Sequence, residues 1–524
     1  MRLPNYVCGE WKQGAAVDHR LIDPVSGEQL ATISSAGIDI NAALEYARQD
    51  GSPTLQALTY QQRSELLRKI ADVLSANRAD YFEISRKNLG ATEADATFDV
   101  DGAIYTVKQY ARLGQSLVGK LFKDGSAVQL SKSGVFQGQH FLKPLGGAAI
   151  FINAFNFPAW GLWEKVAPAI LSGVAVLAKP ASPTAWLAQR MVEDVVKAGI
   201  LPNGALSIFC GSARNLLEHV REDDAISFTG SAQTAVSIRT HPNVAARSVR
   251  VNIEADSLNS AILGLDAAPG GQLFDLLVNE VVREMTLKAG QKCTAIRRVL
   301  VSREHARPLA KAISDRLATV KVGNPRNQGV QCGPLVNKAQ QISALEGVGQ
   351  LQREAEVVFG GSHNFHPVDA DRQESCFVEP TLLFCEKPLE AEAVNKIEVF
   401  GPVATILPYD LVEDAIEITK RGSGSLVASV FSDDPEFNRT AVLGIANTHG
   451  RIMVVDATVS ANHTGHGNVV PTCLHGGPGR AGGGEELAGL RALSHYHRRF
   501  VVQGSPTFIA DLSRETIESK TLYE

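Results

Sequence analysis

Apolar residues between positions 145 and 255 come in short runs separated by amphipathic stretches. The runs at 148–152, 174–178, 206–209, 226–229 and 249–253 have strand length, and several are rich in β-branched residues. Across 185–199, Leu187, Met191 and Val195 recur every fourth residue, with Gly199 and Pro202 behind them as stop signals, which predicts a helix. Strand and helix in alternation imply βαβ units on a mostly parallel sheet, whose ligands bind beyond the carboxyl ends of the strands. Further upstream, Leu66, Leu67, Ile70, Val73 and Leu74 lie at helical spacing in the segment 63–90, which closes on Gly90 and reads as a packed helical pair. Residues 127–143 alternate in a β-like way, and 497–510 hold another candidate strand. Pieces so far apart in sequence can pair into a small separate sheet with an interface role.

Composition narrows the class. A chain of 524 residues needs two or three lobes, because single cores stop growing near ~250–300 residues. Its 56 acidic and 51 basic residues give a formal charge of −5 with no long run of either sign. No nucleic-acid partner is expected on that pattern, and a small-molecule ligand is. The seven cysteines form no C-x-x-C pair, so neither a zinc ribbon nor a disulfide framework is expected, and no metal site is assigned. The absence of an N-terminal signal core and of any stretch of ~18 apolar residues predicts no membrane association and a cytoplasmic location.

The candidate chemistry sits at the strand ends. Cys293 lies in Gly290-Gln-Lys-Cys-Thr-Ala295, a small and polar setting. A thiolate forms there near neutral pH if a positive charge, helix N-terminus or base is close, and Lys292 is adjacent in sequence. Free cysteine is more often simply buried, so this local context alone does not make Cys293 a nucleophile. Glu254 follows the run 249–253, where a partly buried carboxylate could take a proton from water; most glutamates in such places are solvated. Asn156 follows the run 148–152 within a cluster of aromatics and could donate to an oxyanion or simply shape a turn before Phe157-Pro158. Lys179-Pro180-Ala-Ser182 and Phe228-Thr229-Gly230-Ser231 close two successive strands, as groups holding a ribose and its phosphates would. A literal G-x-G-x-x-G at Gly477–Gly482 contains Pro478 and follows no apolar strand, so it reads as a loop and not as a dinucleotide site. His463, His466 and His475 lack the carboxylates or cysteines of a recognisable metal pattern and read as polar loop residues.

In this order, Asn156-Phe-Pro158, Leu177-Ala-Lys-Pro180, Phe228-Thr-Gly-Ser231, Glu254, Gly290-Gln-Lys-Cys293-Thr-Ala and Glu398-Val-Phe-Gly-Pro402 resemble the aldehyde dehydrogenase superfamily along almost the whole chain. The resemblance implies an α/β fold with a Rossmann-type cofactor domain, an α/β catalytic domain and a small β oligomerisation element. It implies these at 1–125 with 144–255, at 256–455, and at 126–143 with 490–524, and a glycine-rich loop region at 456–489 closing the active site. It also implies that Cys293 attacks the aldehyde, that Asn156 and the Cys293 N–H hold the oxyanion, and that Glu254 activates water. Ile152, Lys179, Pro180, Ser182, Thr229, Gly230, Ser231, Glu398 and Phe400 would bind the dinucleotide.

Departures from the family pattern carry information. Ser182 stands where many NAD-using members have glutamate, which favours NADP over NAD because serine can donate to a 2′-phosphate and Lys179 can pair with it. Ala235 and the run Ala255-Asp-Ser-Leu258 replace usual motif residues and put the pyrophosphate contacts in doubt. The tail Leu474-His-Gly-Gly-Pro-Gly-Arg-Ala-Gly-Gly-Gly-Glu-Glu486 is similar to the branch acting on phenylacetyl-CoA or benzoyl-CoA ring-cleavage products. It implies oxidation of a CoA-linked aliphatic semialdehyde to the acid by a homodimer. Acylation of free CoA, or a non-catalytic binding role on the same fold, are the alternatives.

Overall fold

The computed structural model describes residues 1–361 and 365–523. Its first seven-stranded sheet runs in the order Arg250–Glu254, Ala225–Thr229, Ala148–Ile152, Ala175–Lys179, Leu206–Ile208, Asn5–Val7, Glu10–Lys12. The first five strands are parallel, and the last two join antiparallel. Register aligns the functional ends: Ile152 pairs with both Lys179 and Phe228, and Thr229 with Glu254. The strand expected at 148–152 is matched at both ends. Those expected at 174–178 and 249–253 each start one residue later and run on to include Lys179 and Glu254, so both residues are fixed by ladder pairing and not left in loops.

The helices that cover this sheet follow the expected pattern. Thr59 caps the helix Tyr60–Ala76 in a reciprocal box with Gln62, and Leu67, Ile70 and Leu74 turn inward. Buried Arg63 donates from Nε to the Leu171 carbonyl at 2.7 Å, satisfying an orphan acceptor at the end of the helix Trp160–Ser172. The second half of the predicted pair is Arg78–Asn88, and the helix expected at 185–199 is Ala185–Lys197.

A second seven-stranded sheet runs Glu356–Phe359, Thr381–Phe384, Val403–Tyr409, Arg298–Ser302, Ser260–Leu263, Ser425–Phe431, His449–Val455. Only its first strand is antiparallel. Helices Gln272–Thr286 and Arg303–Leu317 pack on one face, and Lys338–Leu351, Val412–Lys420 and Pro435–Ile445 on the other, giving a separate apolar cluster on each side. This is the doubly covered arrangement that parallel strands require. A smaller sheet joins His497–Gly504, Gln137–Pro144, Leu121–Gln129 and Thr516–Glu518, so the distant β-patterned segments do pair. Among the described residues no helix is long and apolar enough to cross a membrane.

A hairpin of Leu474–Gly477 and Gly484–Leu487 is wedged between the two large sheets. A Cβ at Gly484 would come within 2.3 Å of the Ile253 carbonyl, and one at Gly477 within 2.2 Å of the Ser425 carbonyl. The glycines of this segment therefore serve direct main-chain contact. The literal G-x-G-x-x-G forms the turn of this hairpin, which agrees with its reading as something other than a dinucleotide loop.

Candidate active site

The residues expected to react meet in one cavity between the sheets. Asn156, Thr229, Glu254, Cys293 and His475 line it, with Phe98, Phe157, Trp160 and Val469 as its apolar walls. Phe98, Phe157 and Trp160 pack edge to face or tilted, with ring centroids 5.4–6.1 Å apart. The Cys293 sulfur, a Glu254 oxygen and a ring nitrogen of His475 all lie within 4.8 Å of one another.

Cys293 follows an irregular turn in which Lys288, Ala289 and Gly290 all take left-handed φ values of 53°, 49° and 69°. A Cβ at Gly290 would come within 2.1 Å of the Gly401 carbonyl, so that residue must be glycine. Such conformations persist only where surrounding contacts over-determine them, and here they do: Arg297 donates to the carbonyls of Gly290, Lys292 and Gly401, and Asn259 to those of Cys293 and Ala295. Lys292 points away from the sulfur, giving its Nζ to Glu284 Oε1 at 2.7 Å in a fully buried pair. The positive charge that sequence adjacency offered Cys293 is thus spent elsewhere. Burial, reinforced by Glu254, pushes the thiol well above its ordinary range. Cys293 therefore rests as a thiol with a carboxylate beside it.

Glu254 is 3% exposed, so the solvated alternative does not hold. Its Oε2 accepts from Thr229 Oγ1 at 3.4 Å, and its Oε1 lies 3.0 Å from His475 Nε2. Burial alone would raise its pKa, but His475 and then Lys165 hold it down at about 2. Behind it Lys165 pairs with Glu164 at 2.8 Å and Glu486 at 2.9 Å, and oxygens of Glu164, Glu254 and Glu486 lie within 4.8 Å of one another.

On the far side of the strand ends, Lys179 makes no ion pair among the described residues, and burial lowers its pKa. Ser182 Oγ lies 3.5 Å from the Gly211 carbonyl, its nearest polar partner. Ile152 ends its strand half-buried, with Pro180 buried beside it. Glu398 accepts from the Ser257 N–H at 2.9 Å and stands 3.7 Å from Arg297, and burial pushes it up to about 7. Phe400 meets Phe155 edge to face at 5.7 Å. At the helix Ala232–Arg239, Ser231 caps the Thr234 N–H and Asp256 accepts from the Ala232 N–H at 3.0 Å. The Gly230 N–H is taken by the Glu254 carbonyl. The helix start expected to meet a pyrophosphate is thus already filled by protein groups, one of them from the divergent run 255–258.

Sequence reasoning missed His475, Lys165, Glu164 and Glu486. His475 is a buried strand residue against Glu254, not part of a polar loop, while His466 is buried elsewhere on Ser429 Oγ at 2.6 Å. The signal for the others was available: Glu164-Lys165 are adjacent charges inside a helix that is otherwise almost wholly apolar.

Two mostly parallel sheets have a cysteine, a carboxylate and an amide converging between them, and comparison with known proteins identifies the class. The aldehyde dehydrogenase family model matches residues 11–498, and the chain belongs to that family, whose members use NAD or NADP. It is 64% identical to 3,4-dehydroadipyl-CoA semialdehyde dehydrogenase of Aromatoleum evansii, over 91% of this chain and 93% of that protein. Protein MaoC of Klebsiella aerogenes is 42% identical over 37% of this chain and 56% of its own length. Among solved structures, a point mutant of Staphylococcus aureus betaine aldehyde dehydrogenase in complex with NAD+ superposes with a TM-score of 0.84 at 23% identity, covering 96% of this chain and 97% of that one. A 3,6-anhydro-L-galactose dehydrogenase in complex with NADP also gives 0.84 at 23% identity, covering 96% and 100%.

Proposed function

We propose that this enzyme oxidises a CoA-linked aliphatic semialdehyde, 3,4-dehydroadipyl-CoA semialdehyde, to the free acid in aromatic-compound degradation, with NADP as acceptor. The observation that carries the reading is that Cys293, Asn156 and Glu254 face one cavity. The substrate class rests on the Aromatoleum relative, and the apolar wall of Phe98, Phe157, Trp160 and Val469 suits an aliphatic chain.

Cys293 Sγ attacks the aldehyde carbon and releases its proton to solvent, a need set by its raised pKa. The Asn156 amide and the Cys293 N–H donate to the oxyanion of the resulting thiohemiacetal. A dinucleotide held by Lys179, Ser182 and Glu398 would supply the hydride acceptor needed to oxidise this adduct to a thioester on Cys293. Glu254 then takes a proton from the water that attacks the thioester, and the acid leaves as the Cys293 thiol re-forms. Lys165, Glu164 and Glu486 offer that proton an exit. A carboxylate placed beside the thioester favours hydrolysis over transfer to CoA; accumulation of a new CoA thioester in place of the carboxylate would reverse that conclusion.

A half-buried lysine without a carboxylate, beside a serine hydroxyl, fits a phosphate monoester. Lys179 and Ser182 would hold the 2′-phosphate, Ile152 and Pro180 the adenosine, Glu398 a ribose, and Phe400 the nicotinamide side. Thr229, Gly230 and Ser231 border the remaining path. Kinetics with NADP and NAD, each against hexanal and the CoA semialdehyde, test the reading: the pair NADP and CoA semialdehyde gives the highest kcat/KM. Ser182→Glu, which sets a like charge against the 2′-phosphate, is expected to raise KM for NADP about tenfold or more while sparing NAD. An unchanged NADP-to-NAD ratio would remove Ser182 from cofactor choice.

In this reading 1–125 with 144–255 form the cofactor domain, 256–455 the catalytic domain, and 456–489 closes the site. The small sheet, with 126–143 and 490–524, joins two copies in the reducing cytoplasm, where the seven cysteines stay free. It exposes Val128, Phe136 and Val501 at 54%, 42% and 48%, an apolar surface suited to burial. The double variant Phe136→Asp, Val501→Asp should run as a monomer by light scattering; a mass of two chains in that variant would move the interface elsewhere.

A further inference from the structure

The hairpin does more than close the cavity. Its cross-strand pair is His475 and Glu486, and both reach the same neighbouring strand, Arg250–Glu254. Glu486 Oε1 accepts from Asn252 Nδ2 at 3.0 Å, while His475 Nε2 stands 3.0 Å from Glu254 Oε1. Asn252 and Glu254 are two residues apart and so share one face of their strand. The hairpin backbone is pinned on the same strand: the Glu485 N–H donates to Asn252 Oδ1 at 2.9 Å and the Ala255 N–H to the Ala481 carbonyl at 2.9 Å. His475 is thus held by two-point attachment to the strand that presents the carboxylate, and is 5% exposed.

We propose that His475 is the positioning residue of Glu254, fixing the carboxylate beside the Cys293 thioester and tuning its basicity through an imidazole–carboxylate pair. The inference rests on Glu254 acting in deacylation. The pair has a mechanical side and an electrostatic one. Mechanically, His475 Nε2 stands 3.0 Å from one Glu254 oxygen and Thr229 Oγ1 donates to the other at 3.4 Å, so both oxygens have a neighbour that favours one orientation of the carboxylate. Any donor at position 475 can supply this.

Electrostatically, the groups facing His475 are Glu254 from its strand, Glu486 from the opposite hairpin strand, Glu164 and Lys165 from the helix Trp160–Ser172, and Cys293 across the cavity. Burial favours the neutral ring, but Glu254, with Glu164 and Glu486 behind it, outweighs burial and raises the histidine above its usual range. While the ring is charged, Glu254 is a weak base. As pH rises through the raised histidine value, the ring loses its charge and Glu254 becomes more basic. Deacylation should therefore accelerate across that interval, on the alkaline side of ordinary histidine titration.

The experiment uses the full-length enzyme with NADP and hexanal, following the NADPH burst, steady-state turnover, and decay of the acyl-enzyme by rapid quench and intact-protein mass spectrometry. His475→Ala is expected to keep a burst near one equivalent per site while acyl-enzyme decay slows about 10- to 100-fold, the cost of a misplaced reacting group. His475→Gln keeps a neutral donor; it should recover part of that loss but show no acceleration of decay with pH. Wild-type decay in His475→Ala overturns the proposal, as does a burst that falls as steeply as turnover. If the alanine variant fails to fold, a wild-type pH step in His475→Gln overturns it alone. Glu254→Gln run alongside separates the two levels: if its acyl-enzyme decays normally, the deacylation role of Glu254 fails, whereas a stalled Glu254→Gln beside normal His475 variants discards only the inference.

Discussion

Cys293→Ala is expected to lose kcat/KM by about 10⁴-fold or more, the scale seen when a covalent nucleophile is removed and only binding and oxyanion contacts remain. The variant should fold normally, because the segment around it is held by the Arg297 and Asn259 side chains donating to backbone carbonyls and not by the sulfur. NADP binding measured by equilibrium dialysis should be retained, since Lys179, Ser182 and Glu398 are untouched. Retention of a tenth of wild-type NADPH production would show that no thioester on Cys293 is required. Alkylation should also be slow in the free enzyme at neutral pH, because burial and the Glu254 carboxylate hold the thiol protonated.

Glu254→Gln gives the second large effect, with a different kinetic shape. Its first turnover should release about one NADPH per site, and steady turnover should then fall about 10²- to 10⁴-fold, the usual contribution of a general base. The acyl-enzyme should be visible by mass spectrometry as an adduct on Cys293. Because His475 and Lys165 hold the wild-type carboxylate at about 2, the base stays ionised through all mildly acidic conditions. The sign follows: a depressed carboxylate loses its charge only as pH falls through about 2. Loss of wild-type turnover near pH 5 would accordingly have to come from another group. A Glu254→Gln variant that lost the burst together with turnover would place the carboxylate in acylation instead.

How much of this was legible beforehand depends on the range of the forces involved. The strands at 148–152 and 225–229 declared themselves because a buried parallel strand must be apolar on both faces. Their order placed Lys179, Thr229 and Glu254 along one sheet edge. The small sheet was legible in part, from the alternation at 127–143, which the structure splits into strands ending at Gln129 and restarting at Gln137, and from the candidate strand within 497–510, which ends at Gly504 before the helix Pro506–Leu512. Cys293, Asn156 and Glu254 became a set only through their joint order, since none is distinctive alone, and the structure brings all three to one cavity.

What stayed hidden depended on side-chain direction. Lys292 sits next to Cys293 in sequence, yet the turn through Lys288, Ala289 and Gly290 sends it to Glu284. Asp256, read only as a departure from a motif, accepts from the Ala232 N–H at 3.0 Å. His475 carried no periodic signal of its own. The glycines around it were the clue, since so many in succession mark a place where main chains touch.

Those glycines also limit how such an enzyme can be remodelled. Phe98, Phe157 and Trp160 line the cavity, so exchanging them is expected to reshape the throat for another aldehyde. The hairpin has no such freedom. A methyl group at Gly484 would lift it from Ile253 and carry His475 and Glu486 away together, altering the base and its proton exit in one step. Under the proposed roles, a library that varies Phe98 and Phe157 while leaving the hairpin 474–487 intact should find new substrates without moving His475 and Glu486.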